Sequence, residues 1–538
     1  MSRAASVCAL VVVGILTGSG CSSNATTTVA SAPATVSLTA PPSQPTDPAA
    51  TDAPTTAPAP ATIAASTTIA ASTTVVSRPL PNPVAVEGPI TAGGPMANAA
   101  RQDLVAAGYV EEEYFVSGDA TSYTTDAERS PDGKWTVAPD NTAPFRTRII
   151  VRRPADAAAA SGTVLVEWLN VSAGNDGDPD WGYLHREILR AGHTWVGVSA
   201  QAVGVVGGES LLAAQGTPGG LVAANPERYG DLVHPGDRFA FDIFSHVAAA
   251  LRNPDGPDPL GDLVTTQILG IGESQSAFFL TSYINGVHPI VELFDGFLVH
   301  SRGNGAASFD GTAFDRGSTA AFAIRDDLDV PVMIFSTETD LTVLGYAAAR
   351  QDDTDLIRGW EVAGTAHADA FLLEEVYGLG VGADLAGILN CPVPLNSGPQ
   401  HEVLQAALHH LVVWAAAGTL PPTSPRIQLT SSTPPAIARD ADGNALGGIR
   451  TPVVDVPIAA LSGDPAAEAG QGFCFLFGST TPFDKAALTG RYPTPDAFAD
   501  AFATSADQAV AAGFVLEQDV ESMTARALGK FATATATV

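Results

Sequence analysis

The stretch Gln267–Phe278, QILGIGESQSAF, passes from an apolar, strand-like run through Gly-Glu-Ser-Gln-Ser into a helix-like segment. A serine hydroxyl becomes a useful nucleophile when a sharp strand-to-helix turn lifts it clear of a sheet. Such a turn brings the residues two before and two after the serine almost into contact, so both must be small. Gly272 and Ser276 meet that requirement around Ser274. Were Ser276 the nucleophile, Phe278 would have to fill the crowded position, which singles out Ser274. Small residues also end buried strands for packing alone, so the segment by itself reads either as a nucleophile turn or as a structural one.

The order of the downstream segments favours the first reading. In α/β-hydrolase folds the acid comes after a later strand and the histidine after the next, giving the chain order nucleophile, acid, base. Downstream of Ser274, Asp295–His300 reads as one strand and Val330–Thr337 as another, followed at once by Glu338-Thr339-Asp340. A further strand-like segment, Trp360–Val362, leads into the small-residue loop Ala363-Gly364-Thr365-Ala366-His367. His367 is placed to take the Ser274 proton and pass it to a leaving group, with a buried carboxylate fixing the imidazole tautomer. Two carboxylates compete for that role, and the usual geometry of the acid loop favours Asp340, with Glu338 as the alternative. Asp340 stands three residues beyond the strand end, where it can swing back over the sheet; Glu338 is nearer and longer.

The remaining histidines read differently. His300 also ends a strand but precedes any plausible acid, so it has the wrong order to be the base. His409 and His410 lie in an apolar helix, where adjacent residues point about 100° apart and cannot chelate one ion together. No HExxH motif or clustered Cys/His spacing occurs, so no catalytic metal and no cofactor is expected. For the oxyanion, one donor is the backbone N–H of Gln275 at the start of the helix, where the helix dipole adds to it. The other is a backbone N–H from Asn170 or Val171, in the loop after the strand Thr163–Trp168; a plain Gly/Asn turn is the competing reading there.

Beyond these motifs, the segments VEWLNVS, GESQSAFFLTSYINGVHP, STETDL, GTAHAD, PLNSGPQHEVLQAALHHLVVWAAAGT, GNALGGIRTPVVDVP and LFGSTTPFD carry a wider likeness. From about Val84 to the C-terminus the chain resembles a large bacterial family of alpha/beta hydrolase domain-containing proteins, described mostly as esterases. The resemblance implies a serine hydrolase with Ser274, a carboxylate of the TETD segment and His367 as its triad. It implies no substrate.

The N-terminus sets the expected compartment. Arg3 precedes the apolar run Val7–Leu16, then Thr-Gly-Ser-Gly and Cys21, the pattern of a secretory signal with a lipobox-like end. The run is too short to span a membrane. Gly18 stands where such signals usually carry Leu, so ordinary cleavage competes with lipidation of Cys21. Residues 22–83 are almost entirely Ala, Thr, Pro and Ser, too poor in bulky apolar side chains to build a core, and read as a disordered tether. Only Cys391 and Cys474 remain in the folded part, and in an exported chain they suggest one disulfide, two buried thiols being the alternative.

The 538 residues carry a net charge of −31, which argues against nucleic acid and against docking on anionic lipid, since the long-range field repels both. Membrane contact is therefore expected only through the N-terminal lipid anchor. The fold expected for 84–538 is an α/β-hydrolase sheet, mostly parallel with helices on both faces, with cap insertions at Val203–Gly236 and Ser301–Leu328. Residues 421–538 exceed what such a core needs and form a C-terminal extension, with a hairpin around Asp442-Gly443-Asn444 and helical structure in Thr494–Ala527. The expected activity is hydrolysis of small carboxylic esters by an exported, envelope-tethered enzyme. Amide hydrolysis on the same triad, or a catalytically silent binding protein on a hydrolase scaffold, are the alternatives.

Overall fold

The structure, a computed structural model, describes residues 84–125, 128–210, 219–313, 320–378, 384–465 and 473–536. The chain divides into two units, Met1–Thr74 and Val75–Val538, and every described residue belongs to the second. The signal segment, Cys21 and the tether to residue 83 lie outside the described residues.

Nine strands form one sheet: β1 (Ala85–Glu87), β2 (Tyr109–Thr124), β3 (Ala138–Pro154), β4 (Thr163–Trp168), β5 (Thr194–Val198), β6 (Gln267–Glu273), β7 (Gly296–His300), β8 (Val332–Ser336) and β9 (Ile357–Glu361). Their spatial order is β1-β2-β3-β5-β4-β6-β7-β8-β9. The first three and β5 pair antiparallel, whereas β5, β4 and β6 to β9 run parallel. The parallel strands are buried along their whole length, which explains their unbroken apolar runs: a strand covered on both faces has no polar side. Alternate residues serve opposite layers. Val164, Val166 and Trp168 pack with Phe241, Phe244 and Phe279 from the helices Ala240–Arg252 and Gln275–Ser282. Leu165 and Leu169 pack with Trp181, Leu184, Leu404 and Leu408 from the helices Pro179–Ala191 and Gln400–Ala417.

Because β4 and β6 to β9 share one direction, the loops after them emerge at the same edge of the sheet, where ligands of open α/β sheets bind. β9 starts three residues earlier than its sequence pattern suggests. Its polar residues Arg358 and Glu361 are buried in ion pairs with Asp353 at 2.9 Å and Arg350 at 2.7 Å, which hides the strand from a reading based on apolar alternation.

Both insertions lie near that edge. Gly219 sits so close to the carbonyl of Gly174 that a Cβ has no room, so the first insertion rests on the loop after β4. The second threads over the helix Gln275–Ser282, with Ala307 N–H donating to Phe278 O at 3.0 Å. The extension adds two small hairpins and the helices Pro495–Ala511 and Glu517–Thr535, which share a separate core around Phe498, Phe502, Met523 and Phe531. Asp440 to Asn444 turns back on itself with Gly443 at φ 88°, a conformation that favours glycine. Ile449 bridges to Val362, with its N–H donating to Glu361 O at 2.7 Å, and so covers the open edge of β9. Cys391 and Cys474 form a disulfide with Cα atoms 5.5 Å apart.

Candidate active site

β6 ends at Glu273 and the helix begins at Gln275, leaving Ser274 alone at the turn with φ 59° and ψ −120°. A non-glycine residue in that region is strained by about 1–3 kcal/mol, and the surrounding structure must hold it there. It does so through Ser274 N–H to His300 O at 3.0 Å and Phe278 N–H to Ser274 O at 3.2 Å. The tightness of the turn is measured at Gly272, where a Cβ would stand 3.2 Å from Ser276 Cβ.

His367 Nε2 lies 2.7 Å from Ser274 Oγ, and His367 Nδ1 lies 2.7 Å from Asp340 Oδ1. The other Asp340 oxygen accepts Thr337 N–H at 2.7 Å, while Thr337 Oγ1 accepts Asp340 N–H at 3.3 Å. This reciprocal cap opens the helix Glu338–Thr342 and fixes the carboxylate rotamer. Asp340 is fully buried and His367 is 3% exposed, so the pair is shielded from water. Glu338, the competing carboxylate, faces elsewhere. It accepts Gly364 N–H at 2.6 Å, Gly463 N–H at 3.0 Å and Arg439 Nη2 at 2.9 Å. It therefore joins the acid loop to the histidine loop and to the extension.

His300 is turned away from the hydroxyl: its Nδ1 meets Asp180 Oδ1 at 2.8 Å and its Nε2 meets Gln400 Nε2 at 3.0 Å. His409 pairs with Glu187 at 3.1 Å and His410 with Gly513 O at 2.9 Å, each an ordinary helix-surface contact. Among the described residues no group of three or more His, Cys, Asp or Glu side chains is arranged to hold a metal ion.

Of the two residues expected to supply the second oxyanion donor, the structure separates one from the other. Asn170 N–H donates to Gly177 O at 2.9 Å and is not available. Val171 N–H, like Gln275 N–H, has no partner among the described residues. The loop is tied to the helix start by Ser172 Oγ donating to Gln275 Oε1 at 3.0 Å. The Asn170 side chain instead reaches the nucleophile strand, with Nδ2 3.1 Å from Glu273 O and 3.3 Å from Glu273 Oε2. A cavity of about 360 Å3, lined in part by Asn98, Asn175, Asp176 and Leu221, lies between this loop and the first insertion.

Glu273 is the site residue that motif reading passes over. Its Oε1 stands 3.4 Å from His367 Nε2, the nitrogen that also faces Ser274. Its only sequence signal is a carboxylate ending an otherwise apolar, wholly buried strand. Burial pushes this carboxyl up to about 7 against the pull of His367 and His300. Burial draws the His367 imidazole down, but the hydrogen bond to Asp340 and the charges of Glu273 and Asp340 outweigh it, leaving the ring above its ordinary value.

Residues 77–525 match the family described as an alpha/beta hydrolase domain. Among solved structures, a glucuronoyl esterase from Solibacter usitatus shares 13% identity over 53% of this chain and 83% of its own, with a TM-score of 0.26. An a/b serine hydrolase without lid from Xanthomonas campestris shares 12% identity over 48% of this chain and 90% of its own, also at 0.26. Similarity at that level carries nothing about substrate. No curated protein matches the sequence.

Proposed function

This chain belongs to the alpha/beta hydrolase domain family, and from that premise we propose that it is a serine hydrolase cleaving carboxylic esters through an acyl-enzyme intermediate. One observation carries the reading: the unbroken line from Ser274 Oγ through both nitrogens of His367 to Asp340, each link at 2.7 Å. In the resting state Nδ1–H donates to Asp340, so Nε2 carries the lone pair that accepts the serine proton. Attack on the ester carbonyl moves that proton to Nε2 and negative charge to the carbonyl oxygen, which the N–H groups of Gln275 and Val171 receive. The imidazolium then protonates the departing alcohol. A water molecule, activated by the same nitrogen, releases the acid and regenerates Ser274.

The substrate class is a small ester without strong negative charge, since a chain of net charge −31 repels polyanions. The enzyme is exported and anchored through lipidated Cys21. That part is tested by metabolic labelling with a lipid probe, compared between the unmodified chain and Cys21→Ala.

The decisive experiment for the chemistry is reaction with a fluorophosphonate probe. Covalent labelling of the folded protein that disappears in Ser274→Ala is the expected result. A folded protein that stays unlabelled, or a Ser274→Ala variant that still labels, overturns the catalytic reading in favour of a binding protein on the same scaffold.

A further inference from the structure

Glu273 joins two parts of the site, the loop after β4 and the histidine loop, between which no backbone hydrogen bond runs among the described residues. Through Oε2 and its own carbonyl it receives Asn170 Nδ2, from the loop whose next residue offers the Val171 oxyanion donor. Through Oε1 it faces His367 Nε2 at 3.4 Å. It is 5% exposed, and the titratable groups that face it are His367 and Asp340 from the loops after β9 and β8, His300 from the end of β7, and Asp180 and Tyr183 from the helix Pro179–Ala191. No lysine or arginine is paired with it among the described residues. The cation that its carboxylate can meet is therefore the imidazolium that forms when Ser274 gives up its proton.

We propose that Glu273 is a positioning residue for this reaction: its carboxylate braces the His367 imidazolium at Nε2 and ties the oxyanion loop to the nucleophile strand. The proposal rests on the reading of Ser274 as nucleophile and His367 as base. It has a consequence that an anchoring role alone lacks. Oε2 already accepts Asn170 Nδ2, so a proton taken up between Glu273 and His367 rests on Nε2 itself or on Oε1, which faces Nε2. In both cases Nε2 is not free to accept from Ser274, so the active form has lost both protons. The bond changes in catalysis are unaltered: the serine proton passes to Nε2 and leaves with the alcohol, and Glu273 holds no proton in the active cycle. Because the two groups interact, their ionisations belong to the pair.

The test is the acid limb of kcat/KM for 4-nitrophenyl acetate, measured on the full chain. In the unmodified enzyme log kcat/KM falls with a slope approaching two as pH drops. In Glu273→Met, which fills the space with no charge and no hydrogen to donate to Nε2 while Asn170 Nδ2 keeps the backbone carbonyl of position 273, the slope becomes one and the midpoint moves about one pH unit lower, because a nearby anion no longer favours the imidazolium. The rate of fluorophosphonate labelling against pH follows the same two profiles and serves where turnover of the variant is too slow to measure. A one-proton limb in the unmodified enzyme overturns the proposal without any variant, as does a Glu273→Met profile identical to that of the unmodified enzyme. Hydrolysis and labelling that survive in Ser274→Ala sink the underlying reading instead, so the two failures are distinguishable.

Discussion

Arg439 donates to Glu338 Oε2 at 2.9 Å, so a residue of the C-terminal extension neutralises the carboxylate standing two positions before the acid that faces the imidazole. Burial still holds Glu338 above the ordinary glutamate range, against the pull of Arg439 and of the Gly463 and Gly364 N–H groups. Glu338 is thus one of the side chains that tie the extension to the acid and histidine loops, while Asp340 faces His367. Two acidic residues in one short segment thus take different partners: Asp340 meets the imidazole, Glu338 the two loop N–H groups and Arg439.

That division makes opposite predictions for the two positions. In Asp340→Asn the amide oxygen keeps the Thr337 N–H, and the NH2 group faces Nδ1, forcing the tautomer that places a hydrogen on Nε2. Turnover of an ester falls by about 10⁴-fold with the fold intact. Glu338→Ala instead leaves the Gly364 and Gly463 N–H groups without their acceptor and Arg439 with Asp464 as its remaining ion-pair partner. It lowers stability by about 3 kcal/mol, read from urea unfolding, with activity per folded molecule reduced far less. A large, equal loss of turnover in both variants contradicts the assignment.

The disulfide supports the histidine loop from behind. Cys474 is two residues from Leu476, whose carbonyl accepts Ala368 N–H at 3.1 Å, directly after His367. The bridged cysteines are 83 positions apart, and closing a loop of that size restricts the unfolded chain by about 4 kcal/mol. Cys391→Ser with Cys474→Ser is expected to lower the melting temperature, and to lower kcat more than it raises KM, because base placement is affected rather than substrate contact. An unchanged melting temperature would show that the bridge restrains nothing.

The loop after β4, proposed to supply an oxyanion donor, is held by Asn170 on three sides: N–H to Gly177 O at 2.9 Å, Oδ1 accepting Ser172 N–H at 2.8 Å, and Nδ2 on Glu273. Asn170→Asp preserves the first two and sets an oxygen against the Glu273 carbonyl and carboxylate. It is expected to lower kcat more than Asn170→Ala, which removes the tie without adding repulsion. Burst kinetics with a 4-nitrophenyl ester separate the acylation step in each, and the reverse order of the two variants contradicts the geometry.

The elbow was legible because its constraint is local: Gly272 and Ser276 must be small whatever surrounds them. The order of Ser274, Asp340 and His367 was legible because the first two follow strands with long apolar runs and the third follows a small-residue loop after Trp360–Val362. Asp340 was favoured over Glu338 from the geometry of an acid loop alone; the partners that hold Glu338 elsewhere, Gly463 and Arg439, lie more than 90 positions away and leave no local signal. Glu273 stayed hidden for the same reason. A carboxylate at a strand end looks like a solvent-facing terminus until the loop after β4 and the histidine loop close over it. The start of β9 was obscured by Arg358, whose burial relies on Asp353 outside the strand.

Asp369 supplies a pH-dependent stability that can be tested apart from catalysis. It is fully buried; Oδ1 accepts Leu372 N–H at 2.9 Å and Tyr183 O–H at 3.1 Å, and Oδ2 meets no partner among the described residues. Burial pushes its carboxyl up from 3.8 to about 7, only partly offset by those hydrogen bonds. Between these values the folded protein holds a proton that the unfolded chain has released, so stability is greatest on the acid side, falls as pH rises through the window, and levels off above about 7. Glu273 contributes a decline of the same sign, since its folded value is also raised. Asp369→Asn keeps the Oδ1 acceptor, places an NH2 where Oδ2 has no partner, and cannot ionise. Its gain in stability over the unmodified enzyme should be near zero at pH 4 and grow to at most about 4 kcal/mol at pH 8, measured by urea unfolding at each pH. A difference between the two proteins that is the same at both ends means that Asp369 stays ionised in the folded state, and that its burial is compensated by partners other than a proton.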